Sequence, residues 1–339
     1  MKRLYFIISL LFVINSLFSQ ESSQNYVLTR TFLNESGTKY IDNIQYFDGL
    51  GRPIQTVQKG VTPNRSNLVT LQEYDGFGRA TKSWLPHVST SSYLDPVSFK
   101  SAVPGTYNGD SRPYDETVYE DSPLNRVVKQ YGPGASWGTH PVSTSYLTND
   151  DSKELVCKYY YVTSTDSLAQ DKVYPARELY VAKSTDEDGN VSYLFTDKLG
   201  RQLLSRQMSN ATPYDTYYVY DDFDNLRFVL PPGYQDTDSL SLFAYQYKYD
   251  EYGRCIEKPL PGCEVVKYVY DKADNLIFSQ DGVQRKKGEW TFYLYDLFHR
   301  LVMRGICTNT NTSLVKSQIV KTQLSRNSST RMILAEGIG

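Results

Sequence analysis

The residues whose types and spacing could perform catalysis lie in the segment GASWG, residues 134–138. The segment matches the G-x-S-x-G pattern, in which Ser136 would be the nucleophile and His140 or His87 the base. That chemistry requires a buried strand before the serine and a helix after it. Here YGP precedes the segment and THP follows it, and both are typical of loops. We therefore predict no catalytic residue and no enzyme activity.

A second set of reactive groups is the acidic cluster Asp221, Asp222 and Asp224, whose oxygens could bind calcium. The cluster lacks the loop length and the closing glutamate of an EF-hand, and turn formation also explains its aspartates. The four cysteines and three histidines show no spacing typical of metal ligands. We predict no metal site and no cofactor.

Composition favours β-structure. The chain has 339 residues, and tyrosine is unusually common, with 30 copies. Aromatic side chains favour strands because they pack well on a pleated, half-buried surface. Runs such as KYYYV (158–162) alternate with a period of two, as strands do. The formal net charge of -2 gives no electrostatic support for nucleic-acid binding, so we predict none.

The N-terminus has the layout of a secretory signal peptide. Two basic residues precede a nearly apolar run over residues 4–17, which is short for a membrane span. We predict a signal peptide over residues 1–19 and a secreted or cell-surface protein with no membrane span after cleavage, an uncleaved anchor being the alternative. Export would permit disulfides, and Cys255 and Cys263 flank a turn-like segment, but their pairing stays open.

Internal repeats dominate the rest of the sequence. Eight segments share one pattern, and most copies begin about 25 residues apart, which leaves room for two strands and two turns. The copies are FDGLGRPI (47–54), YDGFGRAT (74–81), YEDSPLNRVV (119–128), TDKLGRQL (196–203), YDDFDNLR (220–227), YDEYGRCI (249–256), YDKADNLI (270–277) and YDLFHRLV (295–302). We call these segments the repeat turns.

The repeat turns are predicted to join two strands. The first residue, usually Tyr, ends one strand, and an acidic second residue can accept hydrogen bonds from backbone N–H groups ahead of it. The second residues are Asp48, Asp75, Glu120, Asp197, Asp221, Asp250, Asp271 and Asp296. An apolar fourth residue is expected to fold back over the core. The fourth residues are Leu50, Phe77, Leu199, Phe223, Tyr252, Ala273 and Phe298.

The fifth position predicts a left-handed backbone. Glycine adopts positive φ without steric cost, and Asn, Asp and His are the other residues that adopt it most often. The fifth residues are Gly51, Gly78, Asn125, Gly200, Asp224, Gly253, Asp274 and His299. An apolar strand start follows the sixth position. The sixth residues are Arg52, Arg79, Arg126, Arg201, Asn225, Arg254, Asn275 and Arg300.

The pattern Y-D-x-[FLY]-G-R-[LIV] resembles the YD repeat of Rhs proteins, teneurins and the shell subunits of insecticidal toxin complexes. The resemblance is dense over residues 195–303, and residues 26–140 resemble the domain of unknown function that precedes the repeats in many exported Rhs proteins. It implies a β-strip that spirals into a hollow shell, which in many relatives encloses a C-terminal toxin. It also implies that further YD repeats, or a C-terminal effector or partner chain, are the partners.

These observations together predict an all-β, YD-repeat antiparallel β-strip, an open and partial Rhs-type shell. Eight repeats give about 77 Å of sheet, whereas a wall around a small cargo needs roughly 170 Å. We expect a signal peptide, an N-terminal Rhs-associated domain, a YD-repeat sheet and a polar tail. Their predicted ranges are 1–19, 20–155, 156–304 and 305–339.

The predicted function is a shell or scaffold segment of an exported protein, linked to toxin delivery or to cell-to-cell contact. The alternative is a surface adhesin or glycan-binding module that stacks sugars on the aromatic sheet.

Overall fold

The computed structural model describes residues 24–308, which are nearly all in antiparallel β-structure. They form two compact units. Residues up to Thr144, together with Asp186–Asp188, form the N-terminal unit. Ser145–Thr185 and the residues from Gly189 onward form the C-terminal unit. The predicted signal peptide lies outside the described residues.

In the N-terminal unit, each strand pairs antiparallel with the next strand of the sequence. The strands are β1 (Asn25–Phe32), β2 (Tyr40–Phe47), β3 (Pro53–Lys59), β4 (Asn67–Tyr74), β5 (Ala80–Ser89), β6 (Tyr114–Tyr119), β7 (Val127–Tyr131) and β8 (Val142–Thr148), which begins in this unit. A helix, α1 (Pro96–Thr106), follows β5, and a 3-10 helix, Ala135–Thr139, follows β7.

The C-terminal unit contains a hairpin of β9 (Lys158–Val162) and β10 (Leu168–Val173) and two further series of sequentially paired antiparallel strands. The first series is β11 (Tyr180–Thr185), β12 (Val191–Thr196), β13 (Gln202–Ser209), β14 (Thr212–Tyr220), β15 (Leu226–Leu230) and β16 (Tyr245–Gln246). The second series is β17 (Lys248–Tyr249), β18 (Cys255–Lys258), β19 (Val266–Tyr270), β20 (Leu276–Gln280), β21 (Glu289–Tyr295) and β22 (Leu301–Thr308). Short helices connect some strands, namely α2 (Pro232–Thr237), α3 (Leu240–Phe243) and α4 (Gly282–Lys287).

The core of the N-terminal unit lies between α1 and one face of the sheet. Alternate residues of the strands, such as Val57 and Val69, point to this face, as the period of two requires. Phe99 and Val103 of α1 pack on them and are fully buried. Asp95 starts the helix, because its carboxylate accepts hydrogen bonds from the first backbone N–H groups.

The core of the C-terminal unit is covered by the β9–β10 hairpin. Phe195, Leu204 and Leu230 of the main strands are fully buried, and Tyr160 and Leu168 of the hairpin pack against this cluster. None of the helices in residues 24–308 has the length and apolarity needed to cross a bilayer.

The structure corrects one sequence-based expectation and answers one question that the sequence left open. Strand β22 continues to Thr308, so residues 305–308 belong to the sheet and not to the predicted polar tail. All four cysteines are free thiols, including Cys255 and Cys263. Burial raises the pKa of the Cys157 thiol to about 12, as expected for a cysteine in an apolar core.

Candidate functional site: the repeat turns

Seven of the eight repeat turns share one hydrogen-bonding pattern, which the second residue organises. In the first copy, Asp48 Oδ1 accepts hydrogen bonds from the backbone N–H groups of Leu50 and Arg52, both at 2.9 Å. Asp48 Oδ2 accepts a third from Arg52 Nε at 2.7 Å. The same arrangement recurs in the turns that begin with Asp75, Asp197, Asp250 and Asp296.

Where the sixth residue is Asn, its side-chain amide takes the place of the guanidinium. Asn225 Nδ2 donates to Asp221 Oδ2 at 3.2 Å, and Asn275 Nδ2 donates to Asp271 Oδ2 at 3.0 Å. Of the three aspartates considered for calcium, Asp221 is bonded within its own turn and Asp224 pairs with Arg201. In residues 24–308, no three His, Cys, Asp or Glu side chains are grouped so that they could hold a metal ion.

The prediction of positive φ at the fifth position is confirmed in all eight turns. The four non-glycine residues have φ values of 54° to 62°. These residues are Asn125, Asp224, Asp274 and His299. The fifth N–H donates to the carbonyl of the second residue, as from Gly51 to Asp48 at 3.0 Å, and the strand register shifts beside each turn. This geometry is a tight turn closed by a bulge with a left-handed residue.

The expectation that the fourth residue folds over the core is wrong. The fourth side chains are the tips of the turns and are 72% to 86% exposed in six copies. They are Leu50, Phe77, Leu199, Phe223, Tyr252 and Phe298. The reason is geometric: the second and fifth residues close the turn with backbone bonds, so the fourth residue lies outside the sheet. In three turns the sixth arginine instead stacks on this tip ring, 5.0 to 5.4 Å from its centroid.

Hydrogen bonding lowers the pKa of three of the acidic second residues, Asp48, Asp296 and Glu120. The backbone N–H of Arg52 lowers the pKa of the Asp48 carboxyl, and that of Arg300 does the same for Asp296. The Glu120 turn is longer by two residues, and its carboxylate accepts from the side chains of Arg126 and Ser122. These bonds lower the pKa of Glu120 to about 2.

At four junctions the sixth residue of one repeat turn makes a polar contact with the next turn, and we call these contacts the turn ladder. Arg79 Nη1 donates to the Glu120 carbonyl at 3.1 Å and lies 3.4 Å from Asn125 Oδ1. The sixth residues of three later turns contact the side chain of the fifth residue in the turn that follows. These pairs are Arg201 with Asp224, Arg254 with Asp274 at 2.8 Å, and Asn275 with His299 at 2.9 Å.

The first residue adds a second connection to the turn ladder. The Tyr74 hydroxyl donates to the carbonyl of Pro53, the seventh residue of the preceding turn, at 2.8 Å. Tyr119 and Tyr249 make the same bond to Ala80 and Leu226, both at 2.9 Å. The ring of the following tyrosine also lies 4.6 to 5.5 Å from the sixth arginine of the preceding turn in four places.

Sequence reasoning missed this role of the tyrosine, which it assigned only to strand ending. A signal was present in the sequence, because Tyr is the first residue in six of the eight copies although a strand end accepts many residue types. A tyrosine makes two contacts at once, because its ring stacks on a cation and its hydroxyl donates to a carbonyl. Phenylalanine would make only the first contact.

The GASWG segment, whose pattern matches a catalytic motif, shows no hydrogen bond between the Ser136 hydroxyl and either nearby histidine. Ser136 lies in the exposed 3-10 helix Ala135–Thr139, with no α-helix behind it. His140 Nδ1 lies 3.0 Å from Thr139 Oγ1 and 3.1 Å from the backbone carbonyl of Ser136. His87 Nδ1 instead contacts Thr106 Oγ1 at 2.7 Å. None of these three histidine contacts involves the Ser136 hydroxyl.

Comparison with known proteins gives one family match and several structural ones. Residues 20–148 match the model of a domain of unknown function, DUF6443. The match lies in the part of the chain in which the sequence analysis expected an N-terminal domain. No curated protein matches the chain.

Several solved structures share the fold. The crystal structure of TcdB2-TccC3-TEV has a TM-score of 0.54 and 13% identity, and covers 91% of this chain. That of TcdB2-TccC3 has a TM-score of 0.55 and 12% identity, and covers 87% of this chain. This chain spans only 14% to 15% of the length of those chains. The repeat turns, the sequential antiparallel pairing and this similarity show that the fold is an open antiparallel β-strip of the YD-repeat type.

Proposed function

We propose that the chain is a scaffold segment of an exported YD-repeat assembly, which is extended by further repeats or by a partner chain and serves toxin delivery or cell-to-cell contact. The observation that carries the proposal is the turn ladder. Its contacts join one repeat turn to the next and use the motif residues to do so. The residues that recur at fixed positions of the repeat turns therefore make the contacts that hold consecutive repeats together.

The structural relatives support this role. TcdB2-TccC3, which has the same fold, was also solved without its hypervariable C-terminal region. A variable C-terminal region is what a delivery scaffold would carry as cargo. The export part of the proposal rests on the N-terminal sequence, residues 1–19, which has the layout of a signal peptide.

Light scattering coupled to size-exclusion chromatography tests the scaffold proposal. We expect the mature chain to be rich in β-structure by circular dichroism and to associate with itself, because unpaired strand edges recruit other chains. Added YD repeats or a partner should make it monodisperse. A compact monomer with full sheet content, unchanged on adding such repeats, would contradict the proposal.

Glycan binding is the second candidate function, and the exposed turn tips favour it. Phe77, Phe223, Tyr252 and Phe298 present aromatic rings that are at least 72% exposed, and such rings can stack on sugars. A glycan array with the full chain tests this candidate. Binding that is lost in Phe223→Ala and retained in Leu199→Ala would support it, whereas no binding to any glycan would reject it.

A further inference from the structure

The junction between the turns at 196–203 and 220–227 shows what one repeat requires of the next. Strand β13, which leaves the first turn, pairs antiparallel with β14, with Leu204 opposite Tyr217. Arg201 at the start of this junction pairs with Asp224 of the second turn. Its guanidinium also lies 5.5 Å from the ring of Tyr220. A strand edge, an arginine, a tyrosine and an acid thus form one contact.

The last repeat turn of the described residues presents half of this contact. Arg300 donates to its own Asp296 and stacks on Phe298, and these recorded partners lie within its own turn. Its side chain is 74% exposed, whereas Arg79 and Arg254, which have following turns, are 16% and 21% exposed. The exposed guanidinium is available to a further acceptor.

Strand β22 presents the matching strand edge. It has eight residues, as β13 has, and among residues 24–308 its strand partner is β21. Leu301, Val302 and Ile306 are all more than half exposed, whereas most of β13 is buried or half-buried. An exposed apolar strand that is paired on one side only, among the residues that the structure describes, is a surface that can pair with another strand.

We propose that β22 and Arg300 bind a β-hairpin of a separate partner chain, a proposal that rests on the scaffold function. The turn of that hairpin has Tyr at its first position and Asp at its fifth. The first strand of the hairpin pairs antiparallel with β22. Its tyrosine stacks on Arg300 and donates to the Leu301 carbonyl, and its aspartate accepts from the guanidinium. Each contact copies one that the chain already makes between its own turns.

Charge complementarity selects aspartate at the fifth position. In this chain, Arg254 faces Asp274, whereas Asn225 precedes the turn with Gly253. The turn that follows Arg52 has a glycine, Gly78, at its fifth position, and this residue has no side chain to accept a hydrogen bond from the guanidinium. An aspartate-bearing hairpin therefore gains a charge-assisted hydrogen bond that a glycine-bearing hairpin lacks.

The probe for the test is a backbone-cyclised peptide of residues 212–230, which contains the residues that pair with β13 and in which Tyr217 and Leu230 pair across the hairpin. Cyclisation holds the turn together, since an isolated hairpin is marginally stable. The peptide is labelled, and its fluorescence anisotropy is measured against the full chain. A second peptide carries Asp224→Gly.

The variant Arg300→Asn is chosen because Asn occupies this position in two intact turns. We expect it to bind the Asp224 peptide about fivefold more weakly than the natural chain, equal to about 1 kcal/mol. Binding of the glycine peptide should weaken less, because it loses only the stacking of its tyrosine on Arg300. Arg304→Asn, which removes the same charge from the same strand, should not change either affinity.

Two outcomes would overturn the inference, and they differ in what they say about the scaffold. Equal binding of both peptides to the natural chain and to Arg300→Asn would reject the selective role of Arg300 and leave the scaffold proposal standing. No binding of either peptide would reject β22 as a receptive edge. If the same preparation were also a compact monomer by light scattering, the scaffold proposal would fail with it.

Discussion

At the scale of single residues, the repeat turn depends on one backbone conformation and one carboxylate. The fifth residue supplies positive φ, and the two carboxylate oxygens of the second residue accept three hydrogen bonds, as Asp48 shows. These two requirements could be predicted from the sequence, because Gly, Asn, Asp and His replace one another at the fifth position. Comparing the repeat turns of this one chain was sufficient to predict both requirements.

A β-branched residue at the fifth position should destabilise the turn. We expect Asp274→Val to lower the free energy of unfolding by about 1–2 kcal/mol more than Asp274→Gly, because Cβ clashes at positive φ. Both variants lose the Arg254 contact, so their difference isolates the backbone. Urea denaturation followed by circular dichroism measures it, and equal losses would contradict the explanation.

Acid should weaken the turn that Glu120 organises. Its folded pKa of about 2 is below the usual 4.5, so its contribution is full above pH 4.5 and is lost as the pH falls towards 2. We expect Glu120→Gln to be less stable than the natural chain at pH 7 and to lose less stability over that range. Urea midpoints from pH 7 to pH 2 measure this, with Glu35→Gln as the control. Parallel curves for Glu120→Gln and the natural chain would contradict it.

Removing the serine of the GASWG segment should have no catalytic effect. We expect Ser136→Ala to leave any hydrolase activity of the preparation unchanged, because the recorded contacts of His140 and His87 do not include the Ser136 hydroxyl. Esterase and peptidase assays on both proteins measure this. Activity that disappears with the hydroxyl would show that Ser136 is a nucleophile.

At the scale of elements, the tyrosines hold neighbouring hairpins together. Tyr74→Phe should cost about 1 kcal/mol, since it removes the hydrogen bond to the Pro53 carbonyl and keeps the ring under Arg52. Tyr74→Leu should cost more, because it also removes the cation–π contact. Tyr180→Phe, on an exposed ring, is the matched control for thermal unfolding. A loss in Tyr74→Phe no larger than in the control would reject the connecting role.

The elements that sequence reasoning found were those with strong local signals. Alternation and turn chemistry predicted the hairpins, but α1 gave too little signal, since only Phe99 and Val103 are buried over its 11 residues. The direction of the fourth side chains was predicted wrongly because apolar character was taken to mean burial. The backbone bonds that close the turn place this position outside the sheet, and in the turn at 249–256 its ring stacks on Arg254, which also contacts the next repeat.

At the scale of the whole molecule, the open strand edges should control association. We expect Val27→Lys on β1 together with Val302→Lys on β22 to reduce self-association, because both residues are exposed on end strands and lysine discourages edge pairing. Light scattering at matched concentrations measures the change. Leu194→Lys, on the internal strand β12, is the control, and an equal effect there would point to general solubility.

The turn ladder also restricts how the copies can be rearranged. Because Arg254 requires an acceptor at Asp274 whereas Asn275 is matched to His299, two copies with the same length and backbone are not interchangeable. Duplicating or deleting a single copy brings together sixth and fifth residues that were never paired. An engineer who shuffles such an array should therefore cut between the fifth and the sixth residue of a turn, so that each sixth residue stays in one piece with the fifth residue it faces.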